Sequence, residues 1–568
     1  MGPSTPIGKA IFETKYASPG EDYRETCNRV AASLTNVDLD YHSFRDAMLA
    51  QRFLPGGRIL SSVGTAKKTT AYNCFVSGTI ADSFTEGDGS IMQRATEAAT
   101  TMRMGGGIGY DFSSLRPRGA EIKSLRSQAS GPISFMHIFD AVCRTVSSSG
   151  HRRGAQMAIL RVDHPDIEEF VSAKQNTHAL SGFNVSIGIT DEFMIAVCND
   201  TDFTLRFGGQ VWGSVRARQL WERIMRSTWD WGEPGVVFID RMNRENNLYY
   251  CEQIDATNPC SEQPLPPFGA CLLGSFNLTR YLKIDRPVPF RMSFDMDQLR
   301  RDIPSVVAAM DRVVDVANYP LEEQRKEALN KRRMGLGVMG VANAFEILGH
   351  SYASDSFLRL LDEVMSVIKE EAYAASANLA HTRGAFPLYD AIPYDQGNFI
   401  GTLSSKTRAL IRQSGIRNSH LISVAPTGTI SLLADNVSSG IEPVLMYEGM
   451  RRVIMPDGPQ EFAIMDWAFA NHGHLGRTAD TVSAKEHISV LCTAQKHTDS
   501  AVSKTCNVPA NMLWDDFKQL YIDAWRNGAK GCTTYPIDGG KRGSIMVAKT
   551  SNAANDNNPR CTEGECAA

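Results

Sequence analysis

Four prolines within nine residues, Pro259, Pro264, Pro266 and Pro267, constrain the stretch N-P-C-S-E-Q-P-L-P-P-F-G-A-C (258–271) more tightly than any other part of the chain. Each lacks an N–H and fixes its own φ, so no regular helix passes through. Each also drives the residue before it toward extended geometry. In an extended backbone, side chains at i, i+2 and i+4 share a face. That geometry predicts that Asn258, Cys260 and Glu262 point the same way. Two readings follow: a proline-stiffened surface loop with an incidental cysteine, or a rigid finger presenting an amide, a thiol and a carboxylate to one small substrate.

The bulk of the chain narrows the choice of partners. Its 568 residues suit several domains or one large α/β unit. A net charge of −4 offers no surface for a polyanion, so nucleic acid is not an expected partner. No apolar run reaches the ~18 residues of a membrane span. The start, MGPSTPIGKAIF, lacks the regions of a signal peptide, and Pro6 stands where a myristoylation site needs Ser or Thr. The expected location is the cytoplasm, where the twelve cysteines are not a disulfide framework. None forms a C-x-x-C pair, and no metal-ligand set stands out. Cys27, Cys143 and Cys198, in apolar or helical contexts, read as small packing residues.

Residues 1–50 read as a polar helical region with the apolar spacing of an exposed bundle. From about 53 to 550, short apolar strands alternate with helical segments without long linkers, which predicts one large α/β body. YNCFVSGTI (72–80), GFNVSIGI (182–189) and HLISVA (420–425) are strand candidates; 132–146 and 355–380 are helix candidates. Residues 551–568 are polar and Asn-rich, the composition of a mobile tail, yet they carry Cys561 and Cys566. Two thiols on such a tail point to redox work.

Two glycine-rich runs carry different weight. GLGVMG (335–340) fits G-x-G-x-x-G, but basic, helical sequence precedes it where a dinucleotide site needs a strand; it reads as a helix-packing turn. APTGTISLLAD (425–435) follows an apolar strand and opens a segment of helical spacing, an arrangement that attracts phosphate through unpaired N–H groups and the helix dipole. A plain threonine N-cap is the competing reading. GGKRGS (539–544) could add positive charge.

These pieces together resemble the catalytic chain of the ribonucleotide reductases. FLPGGRILSSVGT, NCFV, GGGIGYDFSSLRPRGAEI, SGPISFMHIFD, HRRGAQMAIL, HPDIEEFVSAK, FNVSIGITDEFM, NPCSE, RRMGLGVMG, APTGTIS and GAKGCTTY follow one another in the family's order from about residue 50 to 550. The resemblance implies a ten-stranded α/β barrel over 51–550, built of two five-stranded parallel halves antiparallel to each other, with a central finger loop. Residues 1–50 would form a helical N-terminal region, and 551–568 a redox tail.

By the same resemblance, Cys260 would be the thiyl radical that takes the ribose 3′-hydrogen. Glu262 would accept the 3′-OH proton, and Asn258 would hold the ribose hydroxyls. Cys74 and Cys271 match the pair that supplies two electrons and ends as a disulfide. Cys561 and Cys566 match the tail pair that is recharged by a thioredoxin-like protein. Asn73, Pro426, Thr427, Gly428, Thr429, Ile430 and Ser431 fall at substrate-binding positions. Asp82 and Ser83, with one extra residue in the spacing before them, match contacts to a deoxynucleotide effector. Lys174 and Gln175 match the loop between effector and substrate.

The radical source follows by elimination within the family. Only Tyr535 stands where the branches with a separate metal subunit relay the radical through two tyrosines, and no glycyl-radical motif occurs. The eleven-residue gap between Cys260 and Cys271 resembles the adenosylcobalamin branch. That implies a homodimer that reduces ribonucleoside diphosphates or triphosphates to deoxyribonucleotides with adenosylcobalamin. The resemblance also implies specificity control, and because the N-terminal region is short and wrong in pattern for an ATP cone, no dATP shut-off is expected. The alternatives are the catalytic subunit of a two-subunit reductase and a non-catalytic nucleotide-binding relative.

Overall fold

The computed structural model describes residues 2–536 except 36–39, 124, 149–151, 154, 176–178, 286–290, 456–457 and 510. Cys561, Cys566 and the 539–544 segment lie outside the described residues. The chain opens with α1 (Pro6–Ile11), α2 (Tyr23–Leu34) and α3 (Tyr41–Leu49). Thr5 caps α1 with Pro6 in its first turn, and Asp22 and Glu25 form a reciprocal capping box on α2. These helices are not an exposed bundle. Ile7, Ile11, Phe12, Val30, Leu34, Phe44 and Met48 are buried in the same core as the sheet behind them, because the polar residues occupy only the outer helix faces.

The strands that matter for the site are β1 (Phe53–Pro55), β2 (Cys74–Val76), β3 (Gly107–Asp111), β4 (Gln156–Arg161), β5 (Phe183–Ile189), β6 (Gly235–Phe238), β7 (Ala256–Thr257), β8 (Pro264–Leu265), β9 (Ala270–Cys271), β10 (Leu273–Asn277), β11 (Gly335–Met339), β12 (Thr505–Val508) and β13 (Gly531–Pro536). One sheet runs in the order β9-β2-β3-β4-β5-β6-β13-β12. Strands β2 to β6 are mutually parallel. The flanking pairs β9–β2 and β6–β13 are antiparallel, and β13 runs parallel to β12. A second sheet orders β1-β10-β11, with β10 and β11 parallel. The 420–425 segment, expected as a full strand, enters only through parallel bridges from Ile422 to Leu336 and from Val424 to Val502.

GLGVMG proves to be a buried strand leading into a helix, not a helix-packing turn: Gly335–Met339 is β11, and Val341–Ile347 is helical. Its glycines answer to close approach. A Cβ on Gly335 would sit 2.4 Å from Gln263 Nε2, and one on Gly337 2.4 Å from the Ser423 carbonyl oxygen.

Period-2 alternation sorts the strand residues between two apolar environments. Phe75, Ala158, Leu160, Val236 and Phe238 belong to the large core, and Cys74, Val76, Met157, Ile159 and Val237 to a smaller one. The large core is covered by α4 (Ile91–Arg103), α5 (Pro132–Thr145), α6 (Met296–Val316), α7 (Asp355–Arg383), α9 (Ala484–Gln495) and α10 (Trp514–Arg526), with the short α8 (Gly428–Leu433) before α9. The smaller one also contains Ile254, Ala256, Leu265, Cys271, Leu273 and Ala425. The β7–β8 hairpin is therefore packed against the inner strand faces. Among the described residues no helix is long and apolar enough to cross a membrane.

Candidate active site

The proline-rich stretch is a hairpin, which corrects the expectation of an extended backbone through Asn258, Cys260 and Glu262. Thr257 pairs with Pro264 and Ala256 with Leu265, leaving 258–263 as the turn between them. Asn258 organises that turn. Its N–H donates to the Gln263 carbonyl at 3.1 Å, and its Oδ1 accepts from the Gln263 N–H at 2.9 Å. The Ser261 N–H donates to the Asn258 carbonyl, with Ser261 at φ +64°. An asparagine side chain bonding its own turn competes with extended structure, and that tips the balance here.

The hairpin is held by strands on both sides. A Cβ on Gly109 would fall 1.8 Å from the Thr257 carbonyl oxygen, so β3 approaches β7 more closely than any side chain allows. The Asn184 amide on β5 donates to the Pro259 carbonyl at 3.1 Å. The Glu262 carbonyl accepts from the Ser423 hydroxyl and from the Ala501 N–H, each at 2.9 Å. Neither Asn184 nor Ser423 was among the candidates from sequence; a polar residue inside an apolar strand is the signal each carries.

The electrostatics are those of a sealed site. The Glu262 side chain is fully buried, and neither of its oxygens has a hydrogen-bond partner. Burial pushes its carboxyl up to about 7. The Asn258 amide lies close enough to oppose that shift, without a hydrogen bond of ordinary geometry. The Asn258 Nδ2 and both polar atoms of the Gln263 side chain are likewise buried and unpartnered. Five unsatisfied polar atoms in one turn are costly unless something else binds there, since each buried orphan costs ~1–3 kcal/mol.

Cys74 and Cys271 stand opposite each other as partners in the β2–β9 pairing. Burial raises the Cys271 thiol well above its usual range, and Glu262, Cys74 and Cys260 all lie near enough to raise it further. Cys260 is half-buried, whereas Cys74 and Cys271 are buried. Next to this group the Asn73 N–H donates to the Cys271 carbonyl at 3.2 Å, and its own carbonyl accepts from Gly107 at 3.0 Å.

The PTGTIS segment adopts the helical start expected of it, with one difference. Thr427 lies at φ +56° and does not cap α8; its hydroxyl oxygen instead accepts from the Gly440 N–H at 2.8 Å. Ser431 Oγ lies 3.2 Å from Ser439 Oγ. Pro426, Gly428, Thr429 and Ile430 complete this turn into α8. Its far end is gripped by the N-terminal segment. Asp435 Oδ1 accepts from the Ser4 and Thr5 N–H groups at 2.6 and 3.0 Å, with Asp435 and Asn436 both at positive φ. Nothing in local sequence marks Asp435, since its partners lie some four hundred residues away.

The remaining candidates occupy separate settings. Asp82 forms an ion pair with Arg116 Nε at 2.7 Å and accepts from the Arg116 N–H at 3.1 Å. Ser83 Oγ accepts from the Glu86 N–H. Lys174 pairs with Glu233 at 2.7 Å, and the Gln175 N–H donates to the Ser172 carbonyl. Of the presumed packing cysteines, Cys27 and Cys143 are buried, but Cys198 is half-exposed with its sulfur 3.7 Å from Arg526 Nη2. Helix geometry turns it toward the edge of its element, which periodicity alone did not reveal. Cys506 and Cys532 are buried.

The family model described as "Ribonucleotide reductase, barrel domain" matches residues 72–535. A vitamin B12-dependent ribonucleoside-diphosphate reductase of Mycobacterium tuberculosis is 34% identical, over 94% of this chain and 79% of the relative. One from Thermoplasma acidophilum is 32% identical over 97% of this chain and 73% of the relative. A vitamin B12-dependent ribonucleotide reductase of Streptomyces clavuligerus is 27% identical over 96% and 64%.

Proposed function

The chain belongs to the ribonucleotide reductase family, and from that premise we propose that it reduces ribonucleoside diphosphates to 2′-deoxyribonucleotides in an adenosylcobalamin-dependent reaction. The observation that carries this reading is the register of Cys74 opposite Cys271, with Cys260 and a buried Glu262 within electrostatic reach of the second thiol.

The chemistry is assigned as follows. A Cys260 thiyl takes the 3′-hydrogen. Glu262 accepts the 3′-OH proton, which assists departure of the 2′-OH as water. A carboxyl near 7 suits a base that must also return a proton, and a positioned base contributes ~10²–10⁴-fold. The buried Asn258 Nδ2 is left to bind a ribose hydroxyl. Cys74 and Cys271 give two electrons and two protons and end as a disulfide, while Cys260 returns hydrogen to the 3′ carbon. The substrate's phosphates meet the turn from Pro426 to Ser431, and Asn73 lines the ribose side.

Cys260 fits the cofactor's approach: it is half-exposed at the turn, while the reducing pair is sealed. Adenosylcobalamin, bound beside Cys260, would supply the radical chemistry that converts that thiol to its thiyl. Everything downstream is work of the protein's own groups.

We read the strands as one ten-stranded barrel. The supporting observations are two parallel sets of five. Strands β2 to β6 form the first; β9 running into β10, β11, 421–424, 501–508 and β13 form the second. They join antiparallel at β2–β9 and β6–β13. The β7–β8 hairpin is then the finger inside it. Regulation by a deoxynucleotide at Asp82, Ser83, Lys174 and Gln175, a homodimer, and recharging through Cys561 and Cys566 by a thioredoxin-like protein complete the proposal.

The deciding experiment is anaerobic reduction of CDP and CTP with dithiothreitol, with and without adenosylcobalamin. Product from CDP only with the cofactor is expected. Product without it would remove the cofactor assignment; product from CTP alone would move the substrate to triphosphates.

A further inference from the structure

We propose that Phe268 is a positioning residue for the reducing pair: its ring, held against Gly78 and the Arg94 guanidinium, pins the strand that carries Cys271 in the register that faces it toward Cys74. The proposal rests on the assignment of these two cysteines as the reductant.

The backbone supplies the first observation. Phe268 lies at φ +64°. For a bulky side chain that is an outlier, and such a conformation costs ~1–3 kcal/mol unless the surroundings impose it. Here the surroundings do. The Phe268 N–H reaches the Ser77 carbonyl at 3.4 Å, the Gly269 N–H bonds the Pro266 carbonyl at 2.9 Å, and the Gly269 carbonyl accepts from the Val76 N–H at 2.9 Å. The turn that precedes Cys271 is thus tied to the end of the strand that carries Cys74.

The ring supplies the second. A Cβ on Gly78 would lie 2.4 Å from Phe268 Cζ and 2.6 Å from Arg94 Cζ, so this contact requires glycine. The Arg94 guanidinium stands over the ring at 5.0 Å from its centre, a cation–π contact that gains strength out of water. Arg94 is itself buried, its Nε donating to the Thr79 carbonyl at 3.0 Å and its Nη1 to Glu97 Oε2 at 2.6 Å. The ring edge and the guanidinium both abut the Gly78 backbone, a cluster anchored on α4 and on the chain just past β2.

The reaction explains the need for the clamp. Strand β9 is two residues long, and Pro264, Pro266 and Pro267 before it offer no N–H for pairing. The strand runs on through Leu272 into β10, whose pairing with β1 and β11 fixes its far end; the near end is held at the turn of Phe268. A slip of one residue would turn Cys271 to the opposite face, and a disulfide needs Cα atoms within about 4.4–6.8 Å. Phe268 supplies the pin from outside the strand.

The test is the equilibrium of the Cys74–Cys271 disulfide with dithiothreitol, in which the disulfide takes two electrons and two protons and dithiothreitol becomes its cyclic disulfide. The full chain is oxidised by one turnover, equilibrated, alkylated and read by peptide mass spectrometry. Phe268→Ala is expected to make the disulfide about tenfold easier to reduce, about 30 mV for this couple. Phe268→Tyr, which keeps the ring, should match the parent. Arg94→Gln, which leaves the turn intact, should shift in the direction of Phe268→Ala. Phe268→Gly separates ring from backbone: grouping with Phe268→Ala supports the clamp, whereas parental behaviour means that the left-handed turn suffices and overturns it. Unchanged equilibria in both Phe268→Ala and Arg94→Gln would also overturn it. If the parent forms no Cys74–Cys271 disulfide after a turnover, the cysteine assignment itself fails, whatever Phe268 does.

Discussion

Cys74 and Cys271 are direct partners across an antiparallel strand pair, the first on β2 and the second on β9. Cys260 reaches the same neighbourhood from the turn of a separate hairpin. The roles assigned to the three thiols separate cleanly in one variant. Cys260→Ser should bind nucleotide as the parent does, by calorimetry, and yield no deoxynucleotide, because an alcohol does not replace the thiyl. Measurable turnover in that variant would sink the mechanism.

Glu262 sets the pH response. Its carboxyl in the folded protein is raised to about 7 from a reference of 4.5. Between those values the native state holds a proton that the unfolded chain releases. Stability therefore falls as pH rises from 4.5 through 7, by about 3 kcal/mol in total. Glu262→Gln should be more stable than the parent above pH 7, by urea unfolding, with the gap closing toward pH 4.5. In the parent, kcat/KM should rise with pH to a midpoint near 7. An unfolding gap independent of pH would rule out this origin.

His487 gives the opposite slope. It is fully buried with neither ring nitrogen hydrogen-bonded, and burial beside the Lys504 charge lowers its pKa from 6.5 to about 2. Below pH 6.5 the unfolded chain takes up a proton that the native state refuses. Stability is then lost with falling pH by up to about 1.4 kcal/mol per unit. His487→Phe should flatten the dependence between pH 6.5 and 5.5 by about 1 kcal/mol. Parallel curves for parent and variant would place the acid sensitivity elsewhere.

Asp435 ties the N-terminal segment to the end of α8 through the Ser4 and Thr5 N–H groups. Asp435→Ala leaves two donors without their acceptor and should cost about 1–3 kcal/mol of stability. If α8 holds substrate phosphate, KM for the diphosphate should rise while kcat stays near its parental value. A fall in kcat with KM unchanged would argue that Asp435 acts elsewhere.

The tail pair is tested by choice of reductant. Cys561→Ser should retain turnover with dithiothreitol, which enters the site unaided, and lose it with thioredoxin. Equal loss with both reductants would contradict a shuttle.

What the sequence offered by itself is the set of candidate reactive groups in short local patterns, the amide, thiol and carboxylate of NPCSE and the cysteines of NCFV and GAC, together with the helical start after PTG. Residue type and spacing suffice to name such candidates, because an amide, a thiol or a carboxylate is carried by the residue itself. The extended-chain expectation failed at 258–263 because the Asn258 side chain closes the turn onto Gln263, a bond that spacing does not reveal. GLGVMG is a strand because β10 pairs with it in parallel, and its glycines answer to Gln263 and Ser423, neighbours supplied only by folding. The fully buried Glu262, the register of Cys74 on Cys271, the Phe268 clamp and the grip of Ser4 on Asp435 all join groups distant in sequence. Burial and register are properties of packed surfaces, so only the tertiary structure decides which carboxyl is desolvated and which thiols meet.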